Sequence, residues 1–495
     1  MIKAAWRTWA AGTAACLITF AVWLPTIRFG FVYDDRGQIL DNPQLRSWGY
    51  LSQYFREHTW AHVTWMPASF YRPLFVTWLR INYAIFATGA RGWHLSSILM
   101  HVLATALVFA LAMMLLRDRK VALIASMIFG LHPVHSESVA WLSGSTDVLA
   151  TVLVLASICC FLCSTKNRRW WWVSIALYAI ALLAKEVAIV GLVAVLIWTF
   201  VSEDVRTPRF AIRAGPFLGV TVIYLLLRQV VLGKLIAKAS AISFGETAQT
   251  MPSFAVFYAK HLLWPTRLSG FYDINVVHSP SLGGFVLPLG VLLVAAFLLA
   301  IFGRQLRRTE GERAFYLALA LLITPLLPAF YLRALEPGNF LHDRYLYMPV
   351  AGFALLIALA FQKLACNMPA LVRPMLVAFC GMALSYALSS MVEAQVWKSD
   401  FSLFTRGAQV APENMVVKSN LASELIRQQR CADAVPLLEQ VVQRAPEMWF
   451  AHANLGNCYL EAGRGAQAED ELSIAVQLQP LPELVQRLQM LRARH

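Results

Sequence analysis

Residues 94–116 read HLSSILMHVLATALVFALAMMLL, 23 positions without one Asp, Glu, Lys or Arg, and Arg117, Asp118, Arg119 and Lys120 follow at once. About 20 apolar residues in a helix cross the ~30 Å hydrocarbon core of a bilayer, so this stretch reads as a span with a charged end. Comparable blocks recur near residues 8–28, 121–141, 146–164, 170–184, 187–201, 214–232, 284–303, 314–332, 346–364 and 375–393. The reading is an all-α polytopic membrane protein of about eleven helices, with 170–184 and 187–201 short for full spans. Composition agrees: 58% of the 495 residues are hydrophobic and 14% charged, against about 25% charged in soluble domains. A soluble globular enzyme is excluded.

The net charge of +14 resides in the membrane part, because residues 394–495 hold 10 basic and 11 acidic side chains. Short cytoplasmic loops attract Lys and Arg. With the N-terminus cytoplasmic, that side carries Lys3, Arg7, Arg117, Arg119, Lys120, Lys166, Arg168, Arg169, Arg206, Arg209, Arg213, Arg304, Arg307, Arg308, Arg313, Lys363 and Arg373. The opposite short loops carry only Lys185, Arg333 and Arg344. An asymmetry of 17 to 3 sets the orientation, and an odd helix count sends the C-terminus to the far side. The basic excess is a topology signal, not a nucleic-acid signal. Two far-side loops are long, about 29–93 and 233–283. Residues 8–28 follow Lys3 and Arg7 as in a signal peptide, but without a good small-x-small cleavage site they read as an uncleaved helix.

Past residue 393 a 34-residue period appears: Pro412, Pro446 and Pro480 are evenly spaced. Leu421, Ala422, Leu425, Ala434 and Leu438 in one unit answer Leu455, Gly456, Tyr459, Ala468 and Leu472 in the next, which adds Ala475. Small residues at these positions and a closing proline specify tetratricopeptide helix pairs. Units at 415–448 and 449–482 and a capping helix to 495 form an α-solenoid. The segment from about Trp397 to Val410 is expected to supply a further helix. Cys431 and Cys458 can pair in this region; the pairing does not follow from sequence alone.

Polar residues cluster at the far-side ends of the spans. Asp34 and Asp35 follow the first helix, and one of two adjacent carboxylates can serve as general base for an acceptor hydroxyl. Arg72 lies later in the same loop. His132, His135, Glu137 and Asp147 fall between two spans and suit a donor or acceptor pocket, or a divalent cation. Lys185, His342 and Arg344 add cations that can hold a lipid phosphate.

Phe31 to Asp35, Tyr71 to Leu74, the His-Pro-Val-His-Ser-Glu core from His132, Lys185-Glu186, Arg344 to Pro349 and the terminal repeats together resemble the transmembrane and tetratricopeptide repeat-containing (TMTC) family of the GT-C glycosyltransferase superfamily. The resemblance implies a GT-C-like domain over 1–393 and periplasmic or lumenal repeats over 394–495. It implies inverting transfer of a mannose-like hexose from a polyprenyl-phosphate carrier to a Ser or Thr hydroxyl of an exported protein, an O-mannosylation. Asp34 or Asp35 is then the general base, Arg344, Lys185, His342 and Arg72 hold the donor phosphate, and the repeats hold the acceptor. Metal dependence stays open. Only two repeats suggest a compact bacterial relative in the inner membrane; in a eukaryote the site is the endoplasmic reticulum. A lipid or glycan acceptor, or a non-catalytic scaffold or lipid transporter, are the competing readings.

Overall fold

A computed structural model describes residues 2–63, 70–202, 208–233, 242–335 and 340–493. Arg206 of the cytoplasmic set lies outside them, as do the side chains of Lys3, Arg7 and Arg209. No β-strand occurs among the described residues. The chain divides into two compact units, one of Met1–Leu268 with Val276–Lys398, the other of Ser269–Asn275 with Ser399–His495.

The first unit is a multi-pass membrane domain. Eight of its helices among the described residues are long and apolar enough to cross a bilayer, and Arg169–Ala184 and Glu186–Ser202 are shorter apolar helices, as their lengths predicted. The block expected over 121–141 differs: its helix runs only Arg119–Leu131. Pro133 lacks an N–H and disfavours helical backbone at His132 before it, and the His132 ring instead accepts the Val134 N–H at 3.4 Å. At its start, Arg117 takes the left-handed conformation (φ 56°), and Asp118 caps the new helix by accepting from the Lys120 and Val121 N–H groups at 2.7 and 3.3 Å. Helix Ala90–Leu116 thus turns back within two residues. The described part of the first long loop has its own core, where Ile39, Leu45, Tyr54, Phe75, Leu79 and Trp93 bury together with Leu142.

The second unit contains the repeats, as helix pairs Met415–Arg427 with Cys431–Arg444 and Trp449–Glu461 with Gly465–Leu478, then Pro482–Arg492. The expected extra helix is Asp400–Val410, opened by a Ser399–Ser402 capping box. Gly456 permits close helix approach: a Cβ there would lie 2.8 Å from Leu472 Cγ. Cys431 and Cys458 form a disulfide with Cα atoms 5.3 Å apart. Ser269–Asn275 joins this unit from the second long loop, where Asp273 accepts the Glu413 N–H at 2.6 Å.

Candidate active site

Between Leu131 and the span beginning at Thr146 the chain makes a 3-10 turn (Pro133–His135), a short helix (Ser136–Ala140) and a second turn (Ser143–Ser145). All of residues 131–148 are buried. Gly144 permits the fold, since a Cβ there would stand 2.7 Å from the Glu137 carbonyl oxygen and 2.8 Å from the Trp141 ring. This wrapped segment presents Glu137 and Asp147 to cations from elsewhere in the unit.

Glu137 accepts from the Arg344 backbone N–H at 2.8 Å and from its Nη1 at 2.6 Å, and His342 Nδ1 lies 3.7 Å away. Asp147 accepts from Lys185 Nζ at 2.6 Å. Arg72 forks onto Glu186, Nε to Oε2 at 3.1 Å and Nη2 to Oε1 at 2.6 Å. These pairs form one electrostatic network, because Lys185 also interacts with Arg72, Glu186 and Arg344. The Tyr345 ring lies beneath both Arg344 and Lys185, at 5.4 and 5.8 Å from its centroid. All four candidate phosphate ligands therefore sit beside a carboxylate: Arg344 and His342 at Glu137, Lys185 at Asp147, and Arg72 at Glu186. Single ion pairs of this burial are costly to assemble, since each ion loses several kcal/mol of hydration.

The acidic pair divides. Asp35 is fully buried, and both its oxygens are engaged: Oδ2 accepts the Val32 N–H at 3.1 Å, and Oδ1 accepts the Ser143 N–H at 2.8 Å and hydroxyl at 2.6 Å. Asp35 thereby ties the first loop to the Glu137–Asp147 segment. Burial pushes its carboxyl up to about 7, against the pull of these hydrogen bonds and with the neighbouring Asp34 charge adding to the rise. Asp34 is half-buried and follows Tyr33, whose backbone is left-handed (φ 53°). An L residue held there costs of order 1 kcal/mol and aims its neighbours by constraint.

The histidines are used differently. His132 is bound to backbone at both nitrogens, Nε2 lying 3.1 Å from the Leu262 oxygen. His135 is enclosed by the rings of Tyr347, Phe129 and His101 at 4.4, 4.7 and 5.1 Å. With Glu137 and Asp147 paired to cations, no three His, Cys, Asp or Glu side chains among the described residues are grouped to hold a metal ion. The cation reading of this motif finds no ligand set there. Ser143, which clamps Asp35, and Tyr345, which carries two cations on its ring, escaped sequence reasoning. Ser143 stands in a turn of small residues with no charge to mark it, whereas Tyr345 adjoins Arg344 and its polarity at a span start was a usable signal.

Residues 71–232 match the family described as dolichyl-phosphate-mannose-protein mannosyltransferase, and residues 425–493 match a tetratricopeptide repeat family. Protein O-mannosyl-transferase TMTC3 of Mus musculus is 27% identical over 494 residues, covering 91% of this chain and 53% of that protein. Protein O-mannosyl-transferase Tmtc2 of Drosophila melanogaster is 34% identical over 197 residues, 36% of this chain and 20% of that protein. The chain spans about half the length of the curated relatives it matches first. These relatives are animal proteins, and the expectation of a bacterial origin draws no support from them. Among solved structures, ArnT from Cupriavidus metallidurans in the apo state aligns at 15% identity and a TM-score of 0.41, over 96% of this chain and 80% of that one; no residue correspondence follows at that level. By sequence, the chain is related over nearly its whole length to the transmembrane and tetratricopeptide repeat-containing proteins, as its motifs indicated.

Proposed function

We propose that this chain is a GT-C-type membrane glycosyltransferase that moves a hexose, mannose-like by its relatives' names, from a polyprenyl-phosphate carrier to a Ser or Thr hydroxyl of an exported protein. The observation that carries the reading is the largely buried network of Arg72, Lys185 and Arg344, whose side chains are 13%, 8% and 21% exposed. Each cation is anchored by one carboxylate yet keeps further N–H donors: Glu137 engages only Nη1 of the Arg344 side chain, and Asp147 takes one of three Lys185 protons. Such a site can accept an anion without rebuilding itself.

In the proposed transfer the acceptor oxygen attacks the anomeric carbon from the face opposite the carrier, inverting the configuration. Its proton passes to Asp34, the bond from the anomeric carbon to the phosphate oxygen breaks, and the electron pair leaves with the lipid phosphate. That phosphate gains a negative charge as the bond breaks, and fixed cations aimed at developing charge are the largest single source of rate. Asp34 is taken as the base because it is half-buried, whereas Asp35 is fully buried and ties the first loop to Ser143. Arg344, Lys185, Arg72 and His342 hold the phosphate, and no step is routed through a metal. The repeats hold the acceptor protein. A disulfide between Cys431 and Cys458 suits an oxidising compartment, which supports repeats on the periplasmic or lumenal side and a cytoplasmic N-terminus.

The test is transfer from polyprenyl-phosphate-mannose to exported proteins by the full chain in membranes. Asp34→Asn is expected to lower the rate 10²- to 10⁴-fold, the usual worth of a general base, with unchanged thermal unfolding. Full transfer by that variant overturns the assignment of Asp34 as base, and no transfer by the unsubstituted chain favours a scaffold or transporter; label appearing only in lipid or glycan replaces the protein acceptor.

A further inference from the structure

Trp141 lies at the centre of the first unit's site with an unmet hydrogen-bonding group. Its side chain is 5% exposed, and its Nε1 has no partner among the described residues. Buried indole N–H groups ordinarily find an acceptor, and leaving one without costs stability. Other buried tryptophans of the same unit obey the rule: Trp23 donates to the Gly130 oxygen at 2.9 Å, Trp93 to the Ala87 oxygen at 2.9 Å, and Trp171 to the Arg213 oxygen at 3.3 Å. Trp141 is the exception in the place where a ligand is expected.

Its ring is held from several sides. It stacks on Trp397 at 5.4 Å and 16°, meets Tyr33 at 6.0 Å, and has the Arg344 guanidinium 5.2 Å from its centroid. Gly144 packs against it at a distance that leaves no room for a methyl group. A second unmet group flanks the same turn: Asp147 gives Oδ1 to Lys185, while its buried Oδ2 has no donor among the described residues. Arg344 interacts electrostatically with Asp147 as well as lying over Trp141. One orphan donor and one orphan acceptor beside a cation call for a ligand with acceptor oxygens, hydroxyl donors and negative charge. A sugar phosphate has all three. A bare anion leaves Asp147 unmet, and a hydrocarbon satisfies neither.

We infer that Trp141 is a donor-headgroup contact, its indole N–H bonding an oxygen of a hexosyl phosphate whose sugar hydroxyl meets the second oxygen of Asp147. The inference rests on the glycosyltransferase reading but names a residue that the transfer chemistry alone does not require. Trp141→Phe tests it, since the phenyl ring keeps an aromatic face for Trp397, Tyr33 and Arg344 and removes the N–H together with part of the indole's volume. With the full chain in lipid nanodiscs, the affinities for polyprenyl-phosphate-mannose and for sugar-free polyprenyl phosphate are measured, together with the ligand-free unfolding temperature. The variant is expected to bind polyprenyl-phosphate-mannose about tenfold more weakly, or ~1.4 kcal/mol, while its ligand-free unfolding stays cooperative and above the assay temperature. An equal loss for the sugar-free lipid assigns the bond to the phosphoryl group, and a loss confined to the mannosyl lipid assigns it to the sugar. Unchanged affinity overturns the inference. Failure of the unsubstituted chain to bind either lipid overturns the glycosyltransferase reading itself.

Discussion

The candidate site of the membrane unit and the surface of the repeat unit both pair their charges, but at opposite degrees of exposure. In the membrane unit, Glu137 is 1% exposed against an Arg344 that is 21% exposed, and Lys185 and Asp147 are 8% and 9% exposed. These pairs join residues 207 and 38 positions apart. In the repeats, Arg492 and Glu469 are 57% and 33% exposed, and Arg430 and Asp433 are 47% and 54% exposed within one helix. Exposed pairs contribute little because water already solvates both ions. Buried pairs cost hydration to form and then resist the loss of either partner. Under the proposed function the three cations of the membrane unit stand where a lipid phosphate is to bind, whereas the repeats leave these charges to water.

The sharpest way to break that contrast is to remove the most buried charge of these pairs, Glu137. Glu137→Gln keeps the shape and one acceptor oxygen but leaves Arg344 without its counter-ion. Breaking a buried pair on one side typically costs ~3–5 kcal/mol, so a large fall in the unfolding temperature in detergent is expected. The double variant Glu137→Gln with Arg344→Gln should recover part of it. A fall equivalent to less than ~1 kcal/mol would place the pair in solvent and erase the distinction between the two units.

Asp35 sharpens the same contrast through pH. Its carboxyl titrates near 7 in the folded chain against 3.8 as the ordinary value, because burial penalises the charged form. A raised acid binds its proton more tightly when folded, so its stabilising contribution is complete below pH ~4 and is lost as pH rises through 7. Three pH units at 1.36 kcal/mol each bound the effect at ~4 kcal/mol. The difference in unfolding free energy between the unsubstituted chain and Asp35→Asn is expected to change steadily between pH 4.5 and 7.5, in the direction of the unsubstituted chain losing ground. A difference that is flat across that window would mean that the carboxyl stays solvated.

What was legible in the sequence follows from the range of each signal. Apolar blocks such as residues 94–116 and the 34-residue period from Pro412 are local patterns, and both the spans and the repeat helices follow them. Lys185, Arg344, Glu137 and Asp147 were visible because charge beside apolar sequence is costly wherever it lands. Their pairing was not, since nothing within ten residues of Glu137 announces a partner at 344. Asp34 and Asp35 were indistinguishable as neighbours. Only the fold turns Asp35 inward onto Ser143 and leaves Asp34 half-buried. The break at Leu131 was written in Pro133 but masked by the apolar residues that continue past it. The Cys431–Cys458 pair waited on a Cα separation of 5.3 Å, within the range a disulfide can bridge.

The smallest effect belongs to the repeats. Arg492 Nε donates to Glu469 Oε1 at 2.7 Å and its Nη2 to Ser473 Oγ at 3.2 Å, joining the last helix to the one before it. Both charges face water, so their attraction is screened and each side chain loses rotamer freedom by pairing. A double-mutant cycle of Arg492→Ala and Glu469→Ala is expected to give a coupling of ~0.2–0.5 kcal/mol in denaturant unfolding, shrinking further in 0.5 M salt. Apolar contacts such as those of buried Leu488 and Leu491 on the last helix then account for its docking. A coupling above ~1.5 kcal/mol would show that the last helix relies on this pair much as the membrane site relies on Glu137 and Arg344, and that the two units handle charge in one way after all.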